Sequence, residues 1–275
     1  MSNSTYKITI HTDEQLSLIQ KISECFLRER MGQFDILAED LATEGCGYVL
    51  DNTDADHERK FDAYINRRNA AEDLFNKAYR ISGANQPRNE AMNQAGDFFT
   101  TIRHAIWLDR PEPKPHGIND AYSSQWSEEQ SPPKCYREDG LWRMTMNRSQ
   151  MQLLQNMSEN FMRERMGQFW LLTDDLAYDR AGFVYDKSNP ENDSRFKECA
   201  ANAQEAKAFF EQGYQASGAA GYSYKTKSMM MAYDFYSTIR HTLWLEDPNP
   251  DDHLASGKPL HECAEVPLIE ITRQP

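Results

Sequence analysis

Long apolar segments are missing from this sequence, and so are the short motifs that mark common enzymes. No run of about 18 or more apolar residues occurs, and the N-terminus MSNSTYKITI lacks a charged stretch followed by an apolar one. We therefore expect no membrane span and no export signal, which favours a cytoplasmic protein. The patterns HExxH, GxSxG, GxxxxGKS/T and GxGxxG are also absent, so the sequence predicts a protein without catalytic activity.

Cysteine and metal-binding patterns are equally sparse. The cysteines are an odd number without CxxC spacing, which predicts reduced thiols rather than a disulfide framework. They are Cys25, Cys46, Cys135, Cys199 and Cys263. Asp97 shares a helix face with His104, as Asp234 does with His241, but two ligands are too few for a metal site. We predict neither a metal nor a cofactor.

Positive charge is scarce relative to negative charge. Lys and Arg number 30 against 43 Asp and Glu, which gives a net charge of −13. Binding to nucleic acid or to an anionic membrane surface needs clustered Lys and Arg, so we expect neither. Acidity keeps a protein soluble and also suits a basic protein partner, and it leaves a homo-oligomer open.

Two segments of the chain recur in the same order. FLRERMGQFDILAEDLA at 26–42 returns as FMRERMGQFWLLTDDLA at 161–177, with twelve of seventeen positions identical. FFTTIRHAIWL from Phe98 returns as FYSTIRHTLWL from Phe235, with seven of eleven identical. The sequence therefore predicts an internal duplication, with repeats at 5–110 and 139–248, a linker rich in Pro, Ser and acidic residues at 111–138, and a tail at 249–275.

Each repeat begins with a short alternating segment, YKITI or WRMTM, that predicts a strand. Thr12 stands three residues before Gln15, the spacing of a helix-capping pair, so a long helix is expected to start there. Two further helices follow, ending at Ser82-Gly83 and after the IRHAIWL segment. The predicted fold is α+β and mainly α, with two tandem repeats related by a pseudo-two-fold axis. EVPLIEITRQ in the tail predicts a last strand without a counterpart before Pro111.

The long first helix aims polar groups inward. Its apolar stripe runs through Phe26, Phe34 and Leu37, and on the same wheel Arg30 lies near the centre of the stripe with Gln33 beside it. Gly32 lies inside this helix, where glycine costs about 1 kcal/mol relative to alanine. We interpret it as a bend or as the close approach of another backbone.

The YKITI strand, the TDEQL helix start, the RERMGQF segment and the IRHAIWL helix together resemble a group of small, largely uncharacterised proteins of bacteriophages and prophages. The resemblance covers both halves apart from the linker and the tail. Relatives of this kind carry one copy, so the duplication is a departure. The resemblance implies a phage accessory protein and brings no catalytic residues with it.

The inward and flanking polar residues form a candidate binding set. Arginine supplies paired donors for phosphate or carboxylate, glutamine can bond a base edge, and tryptophan offers a stacking face, which suits a small anionic, nucleotide-like ligand. The set is Arg30, Gln33, Arg103 and Trp107 with Arg165, Gln168, Lys207, Arg240 and Trp244. The alternative is that the arginines are structural and pair with Glu29, Asp40 or Asp97, because an inward charge must be satisfied.

Two functional hypotheses follow. The first is a non-catalytic phage protein that neutralises a host defence component by sequestering the anionic ligand. The second is an acidic protein inhibitor that occludes a basic host protein or a nucleic-acid-binding surface. Ligand sequestration requires Arg165 and Arg240, whereas a surface inhibitor would lose affinity steeply with salt.

Overall fold

The computed structural model describes residues 4–46, 57–83, 89–109, 125–179, 190–219, 226–248, 256 and 258–274. These residues form eight α-helices and a four-stranded antiparallel sheet, which confirms the predicted α+β, mainly α class. None of the described helices has both the length and the apolar character that a membrane crossing demands. The polar segment 47–61 predicts a loop, but 57–61 is helical and 47–56 lies outside the described residues. The first part of the linker, 111–124, also lies outside them.

The helices account for most of the described chain. They are α1 (Asp13–Arg30), α2 (Asp35–Cys46), α3 (His57–Ile81), α4 (Glu90–Leu108), α5 (Arg148–Arg165), α6 (Trp170–Asp174), α7 (Pro190–Ala216) and α8 (Lys227–Glu246), with a π-helical turn at Asp175–Asp179. The strands are β1 (Thr5–Ile10), β2 (Lys134–Glu138), β3 (Leu141–Asn147) and β4 (Glu270–Gln274). The second and third helices predicted for each half are confirmed.

The chain divides into two compact units that do not coincide with the predicted repeats. Unit 1 comprises Met1–Leu27, Asn89–Met162 and Lys225–Pro275, and unit 2 comprises Arg28–Arg88 and Arg163–Tyr224. Each unit therefore takes segments from both halves of the chain.

Unit 1 contains the sheet, whose strand order is β2-β3-β1-β4. The two predicted strands lie at its centre and pair antiparallel, with Tyr6 opposite Met146 and Ile10 opposite Trp142. Alternate residues of β1 and β3 are buried, as expected for a sheet with one face against a core. The predicted last strand is confirmed as β4, which pairs with β1.

Strand β2 corrects the linker prediction. Residues Lys134–Glu138 were expected to be irregular, yet they pair with β3 through a tight turn at Asp139 and Gly140, both with positive φ. β2 thus stands to β3 as β4 stands to β1, one at each edge of the sheet. Both edge strands are short and carry charged residues, which blocks further strand addition.

Capping pairs fix where α1 and α5 begin. The Gln15 backbone N–H donates to the Thr12 hydroxyl at 3.1 Å, and the Gln15 side-chain oxygen accepts from the Thr12 N–H at 3.2 Å, which confirms the predicted capping box. At α5, Asn147 and Gln150 exchange the equivalent two bonds at 2.9 Å. The two helices therefore start in the same way from adjacent strands.

Gly32 ends α1 instead of lying inside it, so the predicted single long helix is wrong. Its φ is +77°, its N–H donates to the Glu29 carbonyl, and the Gln33 N–H donates to the Arg28 carbonyl. This left-handed termination is favoured by glycine. A Cβ on Gly32 would lie 2.7 Å from the Tyr79 ring, so the close approach predicted there is to a side chain rather than to a backbone.

Unit 2 is a helical assembly of α2, α3, α6 and α7. Its core combines apolar side chains from both halves of the chain, with phenylalanine rings at the centre. The buried residues are Phe34, Leu37, Ala38, Leu41, Ala71, Phe75, Ala78, Phe169, Leu172, Leu176, Ala206, Phe210 and Ala219. The first-helix stripe was therefore predicted correctly on the C-terminal side of Gly32, although it belongs to a separate helix.

Gly32→Ala is expected to lower the free energy of unfolding by about 2 to 4 kcal/mol, because it adds a left-handed backbone cost to a steric conflict with Tyr79. Gly83→Ala is the matched control, since Gly83 also has positive φ (+74°) but a Cβ there would meet only the Asn202 side chain at 4.0 Å. The control should lose about 1 to 2 kcal/mol. Urea unfolding of both variants measures the difference, and equal losses would contradict the steric explanation.

Candidate functional site

The two inward arginines of the RERMGQF segments are buried in unit 2 and paired. Arg30 is 2% exposed and donates to the Asp175 carboxylate, while Arg165 is 3% exposed and donates to Asp40. Each guanidinium thus reaches the last acidic residue of the other repeated segment, 161–177 or 26–42. The inward placement of both arginines is confirmed, and Asp40 was among the partners expected for a structural arginine.

Glutamates complete this buried cluster, and of these only Glu29 was expected from the sequence, as a partner for a structural arginine. Glu29 and Glu164 precede the two arginines and are 2% and 1% exposed. Burial raises the pKa of Glu29, and the positive charges of Arg165 and Arg30 only partly offset it. Burial also raises the pKa of Glu164 well above its ordinary value, and the charge of Glu29 adds to the effect. Both segments contain the tripeptide Arg-Glu-Arg, and the unchanged glutamate was a signal that the sequence prediction did not use.

Helix termination explains why the cluster forms. α1 ends at Arg30 and α5 ends at Arg165, so in each helix the last turn supplies the cluster. A cation in the last turn is stabilised by the partial negative charge of the helix C-terminus. The Tyr79 hydroxyl also donates to the Arg30 carbonyl at 3.4 Å, which satisfies one of the orphan acceptors there.

Gln33 and Gln168 do not join the buried arginines, so their predicted inward orientation is wrong. Both are exposed. Gln33 accepts from the Arg28 guanidinium at 3.5 Å, and Gln168 accepts from that of Arg163 at 2.8 Å. The helical wheel cannot be continued beyond Arg30, because the left-handed Gly32 redirects the chain.

Unit 1 contains the remaining arginines and tryptophans of the predicted set. On α4, the Arg103 guanidinium lies 4.9 Å from the centre of the Phe99 ring, and His104 stacks on Trp107 with ring centres 6.0 Å apart and planes 16° apart. The side chains of Phe99, Arg103, His104 and Trp107 are all half-buried. The arrangement is an arginine packed on one aromatic ring next to a histidine–tryptophan stack.

The same arrangement recurs on α8. The Arg240 guanidinium lies 5.5 Å from the Tyr236 ring centre and donates to the Tyr236 hydroxyl. His241 stacks on Trp244 with ring centres 6.4 Å and planes 14° apart. We refer to Arg103, His104 and Trp107, and to Arg240, His241 and Trp244, as the two Arg/His/Trp clusters.

Lys207, the one lysine of the predicted set, already has a partner. Lys207 on α7 pairs with Glu211 at 2.9 Å, one helical turn away. On α3, Arg68 pairs with Glu72 at 3.5 Å with the same spacing. Both pairs are partly exposed, and Glu211 balances the charge of Lys207.

Asp97 and Asp234 accept hydrogen bonds from backbone N–H groups rather than from histidine side chains. Both are buried, and burial raises the pKa of each carboxyl. Asp97 accepts from the backbone N–H groups of Trp126 and Ser127, which lead towards β2. Asp234 accepts from those of Glu262 and Cys263, on the way to β4. Across the described parts of the chain, no three His, Cys, Asp or Glu side chains are grouped as around a metal ion.

The predicted set is therefore divided between the units. Arg30, Arg165 and Lys207 belong to unit 2 and are ion-paired, and the exposed Gln33 and Gln168 belong to the same unit. The Arg/His/Trp clusters belong to unit 1. No protein-family model matches the chain, and no curated protein or solved structure is significantly similar to it. Functional inference rests on the residues themselves.

Proposed function

We propose that this chain is a non-catalytic accessory protein of the bacteriophage type, which acts in the host cytoplasm and neutralises a defence component by holding a small anionic, nucleotide-like ligand. We further propose that the two Arg/His/Trp clusters provide the contacts. The observation that supports this is their recurrence on α4 and α8 with the same residue types, spacing and ring geometry.

The chemistry of a cluster suits such a ligand. A guanidinium offers planar paired donors to phosphate, and an indole or imidazole face can stack on a base. Arginine packed over an aromatic ring is held in place, so less side-chain freedom is lost when it binds. Arg30 and Arg165 have a structural role in this proposal, since each is buried and bonded to a carboxylate.

We also propose that the chain is an internal duplication whose halves are related by a pseudo-two-fold axis. Antiparallel pairing of β1 with β3 supports this, because two copies of one strand that pair antiparallel are related by a local two-fold rotation. The reciprocal pairs Arg30–Asp175 and Arg165–Asp40 support it within unit 2. A duplicated protein would offer two similar ligand sites rather than one.

Ligand binding can be tested in two steps. Native mass spectrometry of the protein purified from bacterial cells, compared with the denatured sample, would reveal a small molecule that is lost on denaturation. Isothermal titration calorimetry with ATP, AMP and a cyclic dinucleotide then measures affinity. Arg240→Met is expected to weaken binding by about tenfold or more, because a hydrogen bond to a charged group contributes about 1.5 to 3 kcal/mol.

Arg195→Met is the matched control for this experiment. It removes the same charge from an exposed position on α7. Binding that is equally reduced in both variants would reflect net charge alone and would contradict a specific site. Circular dichroism of Arg240→Met checks whether the fold stays intact when the Tyr236 contact is lost.

The acidic inhibitor remains the second candidate, and the pairing of Arg30 and Arg165 favours it by removing two cations from the ligand set. With a net charge of −13, such a protein would bind a basic host protein or occupy a nucleic-acid-binding surface. Its affinity would fall steeply with salt and would be indifferent to Arg240→Met. A pull-down from host lysate at low and high salt, with wild type and Arg240→Met, distinguishes the two candidates.

A further inference from the structure

We propose that Glu29 and Glu164 share a single proton at neutral pH, and that this proton is a pH-sensitive latch joining the ends of α1 and α5 within unit 2. The proposal concerns a device in the fold, and it does not depend on the ligand. It rests on the geometry and charge of the buried cluster.

The two carboxyl groups are buried, and in the described part of the chain three of their four oxygens have no hydrogen-bond donor. Glu29 and Glu164 interact side chain to side chain, and both are almost entirely removed from solvent. Oε1 of Glu29 and both oxygens of Glu164 have no hydrogen-bond partner among the described residues. A carboxylate accepts hydrogen bonds but cannot donate one, so two ionised groups could not satisfy each other. A proton held between them supplies the missing donor.

The two arginines around the glutamate pair are both bonded to aspartates. Arg30 from α1 and Arg165 from α5 face it, and so does Asp40 from α2. Each arginine is already bonded to an aspartate, Arg30 to Asp175 and Arg165 to Asp40. With both arginines bonded to aspartates, two ionised glutamates would add two further negative charges to the buried cluster. Protonation of one of them is the less costly state.

A metal ion is a poorer occupant than a proton. Hard cations need several oxygen ligands, whereas this pair provides one carboxyl from each helix with two guanidinium groups close by. Nowhere in the described ranges do three acidic, histidine or cysteine side chains form a ligand group. The proton needs only the two facing oxygens.

The sign of the pH effect follows from proton binding. Burial raises the pKa of both carboxyls in the folded protein above the unfolded value of about 4.3. Between these two pKa values the folded state holds a proton that the unfolded state has released. Stability due to the pair is therefore present at low pH and is lost as pH rises towards the folded pKa. One shared proton changes the unfolding equilibrium constant about tenfold per pH unit.

Urea unfolding from pH 5 to pH 8 tests whether the shared proton makes the stability of the protein depend on pH. In Glu164→Gln and in Glu29→Gln, an amide supplies the donor permanently. The unfolding constant of wild type relative to either variant is expected to rise about tenfold per pH unit across this range up to the folded pKa. Glu39→Gln, which removes an exposed carboxylate from α2, is the control and should leave the ratio constant. Parallel pH profiles for wild type and both buried variants would overturn the proposal.

Infrared spectroscopy provides a second readout that needs no unfolding. The carbonyl band of a protonated carboxyl is expected at pH 7 in wild type, and it should disappear in Glu29→Gln and in Glu164→Gln alike, because one shared proton serves both residues. Absence of the band from wild type, or its persistence in both variants, would show that the pair holds no proton.

Discussion

Replacing Phe210 with alanine is expected to lower the free energy of unfolding by about 3 to 5 kcal/mol, the usual cost of removing a fully buried ring. Phe210 lies among three other rings, with centre-to-centre distances of 5.3 Å to Phe34, 5.6 Å to Phe75 and 5.4 Å to Phe169. These rings come from α3 and from the segments just before α2 and α6. Alanine would therefore leave a cavity where α3, α7 and the segments before α2 and α6 meet.

Phe209 provides the matched control one residue earlier. It is only partly buried, and the Lys77 ammonium lies 4.0 Å from its ring centre. Phe209→Ala should cost about 1 kcal/mol, the value of a cation–π contact at an exposed site. Hydrogen exchange measured on peptides of α3 and α7 should show faster exchange in Phe210→Ala and little change in Phe209→Ala. Similar losses in both variants would mean that the four-ring cluster is not the centre of stability in unit 2.

Local signals in the sequence were sufficient for the start of α1 and for strand β1. The Thr12 and Gln15 pair predicted the start of α1, because both capping bonds are made between residues three apart. The strand YKITI was predicted from its alternation, and burial in β1 alternates accordingly except at Thr9. Such features depend on neighbouring residues alone, so no knowledge of the tertiary structure was needed.

The break at Gly32 was missed for a reason that lies in the pattern itself. Apolar residues continue at helical spacing from Phe26 to Leu41, which disguises two helices as one. Because the left-handed Gly32 rotates the chain, only Arg30 of the two inward polar side chains was placed correctly. Gln33, directly after Gly32, was assigned to the wrong side.

Long-range pairing was beyond the reach of the sequence. β2 has five residues, four of them with exposed side chains, so it lacks the alternation that predicts a half-buried strand. Its existence depends on β3, to which it pairs. The assembly of each unit from both halves of the chain has the same origin, since similar segments in the two halves do not specify whether a segment packs against its own half or against the other.

Arg165→Met is expected to lower the free energy of unfolding by about 3 to 5 kcal/mol, because it removes one partner of a buried ion pair. Asp40 would keep its charge next to Glu29 and would lose its bond from the Arg165 guanidinium. The loss should be greater at high pH, where the glutamate pair gives up its proton. Urea unfolding at pH 6 and pH 8 measures both the loss and its pH dependence.

Arg163→Met tests whether burial, rather than charge, is responsible. Arg163 is two residues earlier on α5 and half-buried, with its guanidinium 5.2 Å from the exposed Trp170 ring. Its replacement removes the same charge at a cost of about 1 kcal/mol. If Arg165→Met were as stable as Arg163→Met and lost ligand binding instead, the buried arginines would be binding residues after all. Recovery of stability in Arg165→Met combined with Asp40→Asn would establish the structural role, because the second change removes the unpaired charge.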